Sequence, residues 1–491
     1  MQRLLAIAGL TWKAAFRFRL FVVIAVLLLG SVVGLPLLIK DDGTARGCTQ
    51  ILLTYTLSVI TVLLGLSTLW LSCGLLARDI EECQIQVVAV KPVARWQIWL
   101  GKWLGIMALN AVMLALSGAS VYGLLLWRAA RLPAEEQKTL RREVLVARGS
   151  LKPPTFEREI EAETDRLLEE RLKQGASGAV NLREVRREIR EQVKARDQLV
   201  PPSAIRQWEI HLGLLKSSLR DQPLHLRIKF NAADKSPSGT FIGLWQVGAP
   251  RQTQLWRSQP MSLAPDTFHE FEIPPNLFDE NGVLTISFAN VNNTSLLFPL
   301  EDGIEVLYRE GGFGLNFARG VGIIFCWMAL LAALGLTAAS FLSFPVAAFF
   351  SLGVLTVALS SGTLANVVSD RTIMGFNAET GVAGHSIADT VIVPAFSGIL
   401  YVIHLATQTA TIPEWFAKLL PAGVRESLSG ALPSPARPFS PVDALSTGRS
   451  IAWTHLGLAF VQIVLLLGGI IGLIGTSIFN RRELATAQGT Q

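Results

Sequence analysis

The chain of 491 residues has only four cysteines, Cys48, Cys73, Cys83 and Cys326. They are scattered, two lie inside apolar runs and none shows metal-ligand spacing, which argues against a disulfide framework and a thiolate metal site. No G-x-x-x-x-G-K-[ST] stretch occurs, so the chain does not cradle ATP by that mechanism. No basic face interleaved with aromatic residues is present, and a nucleic-acid partner is excluded on that ground. Apolar residues are abundant instead. They make up 50% of the chain, and the mean hydropathy of +0.42 is one an ordinary soluble chain of this length would not show. The net charge of +6 is carried by basic residues clustered near the ends of apolar runs, which suits contact with membrane lipids.

Crossing the hydrocarbon core takes about 20 mostly apolar residues. Six runs qualify: Leu20 to Ile39, Ile51 to Leu76, Leu104 to Leu126, Phe317 to Leu342, Val346 to Val368 and Leu456 to Ile478. The first follows Arg17 and Arg19 but is too long for a signal peptide and lacks a small-residue cleavage pattern, so it is read as a retained span. A seventh run, Ala388 to Ala406, is interrupted by Pro394 and carries Asp389, Tyr401 and His404.

Orientation follows from the short loops. Arg3, Lys13, Arg17 and Arg19 in the N-terminal arm, and Arg78, Lys91, Arg95 and Lys102 in the 78 to 102 loop, place both segments in the cytoplasm. Arg481 and Arg482 after the last span place the C-terminus there too. Both ends inside require an even number of crossings. Ala388 to Ala406 is the run expected to fail, because a carboxylate at the bilayer centre costs about 2.5–3.5 kcal/mol on insertion scales. It is expected to be re-entrant or interfacial within an outer segment, 388–418.

Between the third and fourth spans lies a polar insertion, placed outside because long domains translocate largely regardless of charge. Its first part, 128–208, reads as helical. TFEREIEAETDRLLEERL puts Phe156, Ile160, Leu167 and Leu168 on one stripe, and NLREVRREIREQV puts Leu182, Val185, Ile189 and Val193 on another. Asn181 and Glu184 form a capping-box-like start, and KQGASGAV supplies the turn. The charges of this hairpin are read as a solvated face. The second part, 209–315, alternates: LHLRIKF, TFIGLWQV, TFHEFEI, VLTISFANV and GIEVLY predict a small antiparallel β-sandwich. Its spacing resembles jelly-roll modules of the carbohydrate-binding type. Trp245 and Trp256 are read either as stacking platforms for a cell-envelope ligand or as core residues. The expected fold is an α-helical integral membrane protein, six spans plus one re-entrant or interfacial segment, with an inserted α+β extracytoplasmic domain. The membrane part comprises residues 1–127 and 316–491.

The loop RDIEECQIQVVAVKPVARWQIWLGK, Arg78 to Lys102, interrupts this pattern. Arg78, Glu81 and Glu82 make a charged turn, and Ile85, Val88 and Ala89 an apolar stripe. Pro92 breaks the chain, and Val93, Trp96 and Leu100 form a second stripe leading into the third span. The product is a short surface helix with a kinked return, either a plain interfacial hairpin or a docking surface for a cytosolic partner.

Glu81-Glu82, Lys91-Pro92-Val93-Ala94-Arg95, Ile98 and Gly101-Lys102 resemble the loop after the second span in type 2 ABC transporter permeases. Gly448-Arg449-Ser450-Ile451-Ala452-Trp453 is similar to that family's lead-in to the last span, and Phe479-Asn480-Arg481-Arg482-Glu483-Leu484 to its ending. The N-terminal stretch with Leu5, Trp12 and Phe16 resembles its interfacial elbow helix. The resemblance implies a permease subunit of an ATP-driven exporter in the bacterial cytoplasmic membrane, paired with a second copy or a paralogue and with separate ABC-type ATP-binding subunits. The coupling loop would then include Arg78, Glu81, Glu82, Lys91, Pro92, Arg95 and Trp96. No cofactor and no catalytic or metal-binding residue is expected in this chain, with ATP held by the partner. The large outer insertion departs from the compact family pattern. Two rival readings stand beside it. His385 and Asp389, four residues apart, together with His404 could serve a metal or proton relay. Alternatively, the chain is a membrane-anchored scaffold or sensor whose sandwich binds envelope polymer.

Overall fold

The computed structural model describes residues 2–17, 19–38, 44–82, 93–154, 157–173, 182–234, 236, 238–249, 253–300, 302–370, 389–407 and 439–481. The protein is mostly helical, with a β-rich insertion, and divides into two units. One comprises Met1–Val146 with Gly312–Gln491, the other Ala147–Gly311.

The first unit is built from α1 (Gln2–Arg17), α2 (Arg19–Leu38), α3 (Ala45–Glu81), α4 (Arg95–Ala130) and α5 (Ala134–Glu143). Among the described residues, α3 and α4 are two of four helices long and apolar enough to cross a membrane. At 37 residues α3 is about 55 Å long, well beyond a hydrocarbon core of about 30 Å. Its start is fixed by Thr44, whose side chain accepts the Gly47 N–H at 3.1 Å. The chain GKWLG on α4 lets α1 approach closely. A Cβ on Gly101 would lie 2.8 Å from Ile7 Cβ, and one on Gly105 would lie 2.7 Å from Thr11 Cβ.

After the insertion come α8 (Phe313–Ala339), α9 (Phe344–Leu359), α10 (Ser361–Asp370), α11 (Asp389–Ala406), α12 (Pro441–Ser446) and α13 (Trp453–Arg481). The other two long apolar helices are α8 and α13, and α13 contains a π-helical stretch over Phe460–Gly468. Small residues again set the packing: Gly335 of α8 faces Ser72 of α3, and Gly475 of α13 faces Thr337 of α8. The single run expected at Val346 to Val368 is broken at Ser360 into α9 and α10. Ser360, Ser361 and Gly362 stand together there, and such Ser/Gly pairs mark helix kinks. Leu364 of α10 packs with Leu400 and Ile403 of α11.

In the second unit, α6 (Glu157–Lys173) and α7 (Leu182–Gln198) pair through Ile160, Ile189 and Val193, with Leu167, Leu168 and Val185 alongside. Cross-pairs such as Arg186–Asp165, at 2.8 Å, face outward. Phe156, residues 174–180 of the KQGASGAV turn and Asn181 lie outside the described residues.

The strands are β1 (Val146–Leu151), β2 (Leu199–Val200), β3 (Ile205–His211), β4 (Leu224–Ile228), β5 (Asn231–Ala232), β6 (Phe241–Val247), β7 (Trp256–Arg257), β8 (Met261–Leu263), β9 (His269–Ile273), β10 (Val283–Asn290), β11 (Leu296–Leu297) and β12 (Ile304–Gly312). They make three antiparallel sheets, β1-β12-β4-β9, β3-β10-β6-β7 with β8 on β6, and β2-β11-β5. The first two share one core: Leu226, Ile228, Ile273 and Val306 from one sheet meet Ile210, Trp245, Ile286 and Phe288 from the other. The boundary drawn at 208 and 209 falls inside β3, where Trp208 and Ile210 point inward as the period of two requires.

Candidate functional site

The connection between α3 and α4 is the segment singled out by its sequence, and the structure describes both of its ends. Residues 83–92, with Lys91, Pro92 and the Ile85, Val88 and Ala89 stripe, lie outside the described residues.

On the α3 side, Glu81 and Glu82 are exposed. The Phe344 N–H, in the first turn of α9, donates to Glu81 Oε1 at 3.0 Å. A carboxylate at a helix N-terminus satisfies one of four orphan amides and meets the positive end of the helix dipole. Arg78 lies one turn back, its guanidinium 4.9 Å from the centroid of the Phe344 ring.

On the α4 side, Arg95 Nη1 donates to the carbonyls of Phe479 at 3.0 Å and Asn480 at 2.8 Å. These are C-terminal carbonyls of α13, where a cation is favoured. Trp96, next to it, is 47% exposed. About two turns deeper, Lys102 is buried. It donates to the Leu75 carbonyl at 3.0 Å and forms an ion pair with Asp79, fastening α4 to α3. Further along, Thr68 Oγ1 donates to Asn110 Oδ1 at 3.0 Å between the same helices. The segment thus leaves α3 beside the start of α9 and enters α4 beside the end of α13. The structure brings Arg78 and Glu81 together at Phe344, while Arg95 serves a different helix end. Sequence reasoning missed Phe344, which carries no signal beyond the Ser-Phe-Pro start of a helix.

The GRSIAW stretch is held by α8. Asn316 Nδ2 donates to the Arg449 carbonyl and its Oδ1 accepts the Ile451 N–H, both at 2.7 Å. Arg319 donates to the Ile451 carbonyl and lies 5.2 Å from the Trp453 ring centroid. Gly448 has φ +68°, and a Cβ there would lie 2.4 Å from the Glu143 carbonyl oxygen, so glycine is required. In the FNRREL ending, Phe479 is fully buried, and residues from Arg482 onward lie outside the described residues. In α1, Leu5 is 68% exposed, as an interfacial helix would allow; the Phe16 side chain lies outside the description.

Trp245 takes the core position of the two offered by its sequence. It is 2% exposed and sits among Phe288, Trp208 and Phe298, with the Phe288 centroid at 4.7 Å, because it occupies an inward position of β6 facing both sheets' core. Trp256 is half-buried and stacks on Phe271 at 5.8 Å. Asp389 and His404 stand at opposite ends of α11, about 22 Å apart at 1.5 Å per residue, so they share no site. His385 lies outside the described residues, and among those described no group of three metal-ligating side chains occurs. Comparison of the chain with protein-family models, with curated proteins and with solved structures finds no match.

Proposed function

We propose that this chain is the permease subunit of an ATP-driven ABC transporter, an exporter of the type 2 class, whose Arg78 to Lys102 segment docks a separate ATPase. The observation that carries this is the double attachment of the segment: Glu81 to the start of α9 and Arg95 to the end of α13. A plain interfacial hairpin needs neither. A segment pushed by a motor does, since a force on it reaches two further helices through charge-assisted bonds.

In this reading α2, α3, α4, α8, α9 continued by α10, and α13 are the six crossings of the bacterial cytoplasmic membrane, with the insertion outside and both termini in the cytoplasm. Pro394 and Asp389 favour an outer re-entrant α11 over a seventh crossing, because a segment dipping back to water satisfies more polar groups. The insertion adopts a β-sandwich with a helical hairpin, available to a cell-envelope ligand. The chain works as a pair with itself or a paralogue, and ATP stays on the partner.

The test is co-purification. Glu82→Lys and Trp96→Ala alter exposed groups at the two ends of the segment and are expected to reduce recovery of the ATPase at least fivefold, with the permease still in the membrane. Unchanged recovery for both would refute docking there, and would favour a membrane-anchored scaffold or sensor.

A further inference from the structure

Along α3, Trp70, Gly74, Arg78 and Glu81 recur at helical spacing and form one stripe. All four hold the same residue, Phe344. Trp70 meets its ring edge-on, with centroids 5.2 Å apart. Gly74 leaves a notch beneath it, since a Cβ there would lie 3.3 Å from Phe344 Cε2. Arg78 covers the ring and Glu81 accepts its amide.

The turn between α8 and α9 does not need this clasp to close. Ser340 and Leu342 donate to the α8 carbonyls of Leu336 and Ala338, and the Ala347 N–H already bonds the Ser343 carbonyl at 2.8 Å. The clasp therefore joins one connection of the chain to another, 263 residues away in sequence. Its far end has a matching construction. With 16 residues α9 is a rod of about 24 Å, and it ends at the Ser360 break, beyond which α10 packs on α11.

We propose that Phe344 and the Trp70, Gly74, Arg78 and Glu81 stripe form a latch through which displacement of the α3–α4 connection is delivered to α9, and by α9 to the α10–α11 pair. This rests on the permease reading and names the transmission element within it. Glu81 and Phe344 act as positioning residues. They carry motion and touch neither nucleotide nor substrate.

The test uses the complex of the full chain with its ATPase. Leu315→Cys on α8 and Leu359→Cys at the end of α9 are both exposed and take spin labels in a background with the native cysteines replaced. The distance between them is measured without nucleotide and with ATP and vanadate. The unsubstituted complex is expected to show a shift. Glu81→Ala and Phe344→Ala are expected to lose it, with resting distance, ATPase recovery and ATP hydrolysis retained in Phe344→Ala, which lies outside the docking segment. Glu81→Gln keeps the shape and an acceptor oxygen without the charge, and its shift is expected to fall between. It also serves as the arm least disturbing to folding. A full-sized shift in Glu81→Ala and Phe344→Ala, or in Glu81→Gln where those two do not accumulate, overturns the latch, as does the absence of any shift in the unsubstituted complex. Failure of the unsubstituted chain to recover an ATPase is a different outcome, which sinks the permease reading itself.

Discussion

Lys102 is a charge kept at 6% exposure inside a predominantly apolar unit, and its ion pair with Asp79 and bond to Leu75 explain why it is tolerated. Lys102→Met removes the partner of a half-buried carboxylate and is expected to lower the stability of the detergent-solubilised protein by about 1.5–3 kcal/mol. Adding Asp79→Asn should recover much of it, read as the midpoint of thermal unfolding for the two single variants and the double. A loss in the double variant equal to the sum of the two single losses would mean that the pair is not coupled. In the insertion, Trp245→Ala empties the middle of an aromatic cluster and is expected to cost about 3–5 kcal/mol. Trp256→Ala, at a half-buried position, should cost clearly less. Arg95 illustrates a limit of charge reversal as a probe. Because it caps α13, its reversal would disturb the membrane unit as well as any docking, so Glu82 and Trp96 are the cleaner positions.

At the scale of elements, strands that alternate strictly and are bounded by turn residues were legible in the sequence, as were helices with long apolar runs. β4, β6, β9, β10 and β12 lie where LHLRIKF, TFIGLWQV, TFHEFEI, VLTISFANV and GIEVLY place them. β1 was not legible, since VARGSL interrupts its apolar pattern with a buried Arg148 whose charge is met by Glu270. β3 was obscured by the preceding charged helix. The break at Ser360 was hidden by continuous hydrophobicity on both sides, a pattern that reports burial or lipid contact and not helix continuity. Within the site, charges at the ends of the segment could be read as a candidate surface. Their separate destinations, α9 and α13, could not, because both contacts join residues more than 260 positions apart. α11 is the element on which the number of crossings turns. With an outer re-entrant α11, single cysteines at Thr380 and Lys418 should both react with an impermeant reagent from outside. Reaction at Thr380 with protection at Lys418 would show a seventh crossing and put the C-terminus outside.

For the whole molecule, two units of different character follow from composition: long apolar helices packed through glycines and serines, and an insertion with its own aromatic core. With the insertion outside, protease added to spheroplasts should release a fragment from within residues 130–315 and leave the 78–102 segment intact. Cleavage of that segment instead would invert the topology. The docking of an ATPase on the same segment is tested most directly by a photoreactive residue in place of Trp96, irradiated in cells and analysed for the attached protein. An adduct with an ABC-type ATP-binding subunit, lost when Glu82→Lys is added, is the expected result. Adducts only with lipid or with the chain itself, at a position 47% exposed beside the segment's return, would contradict it.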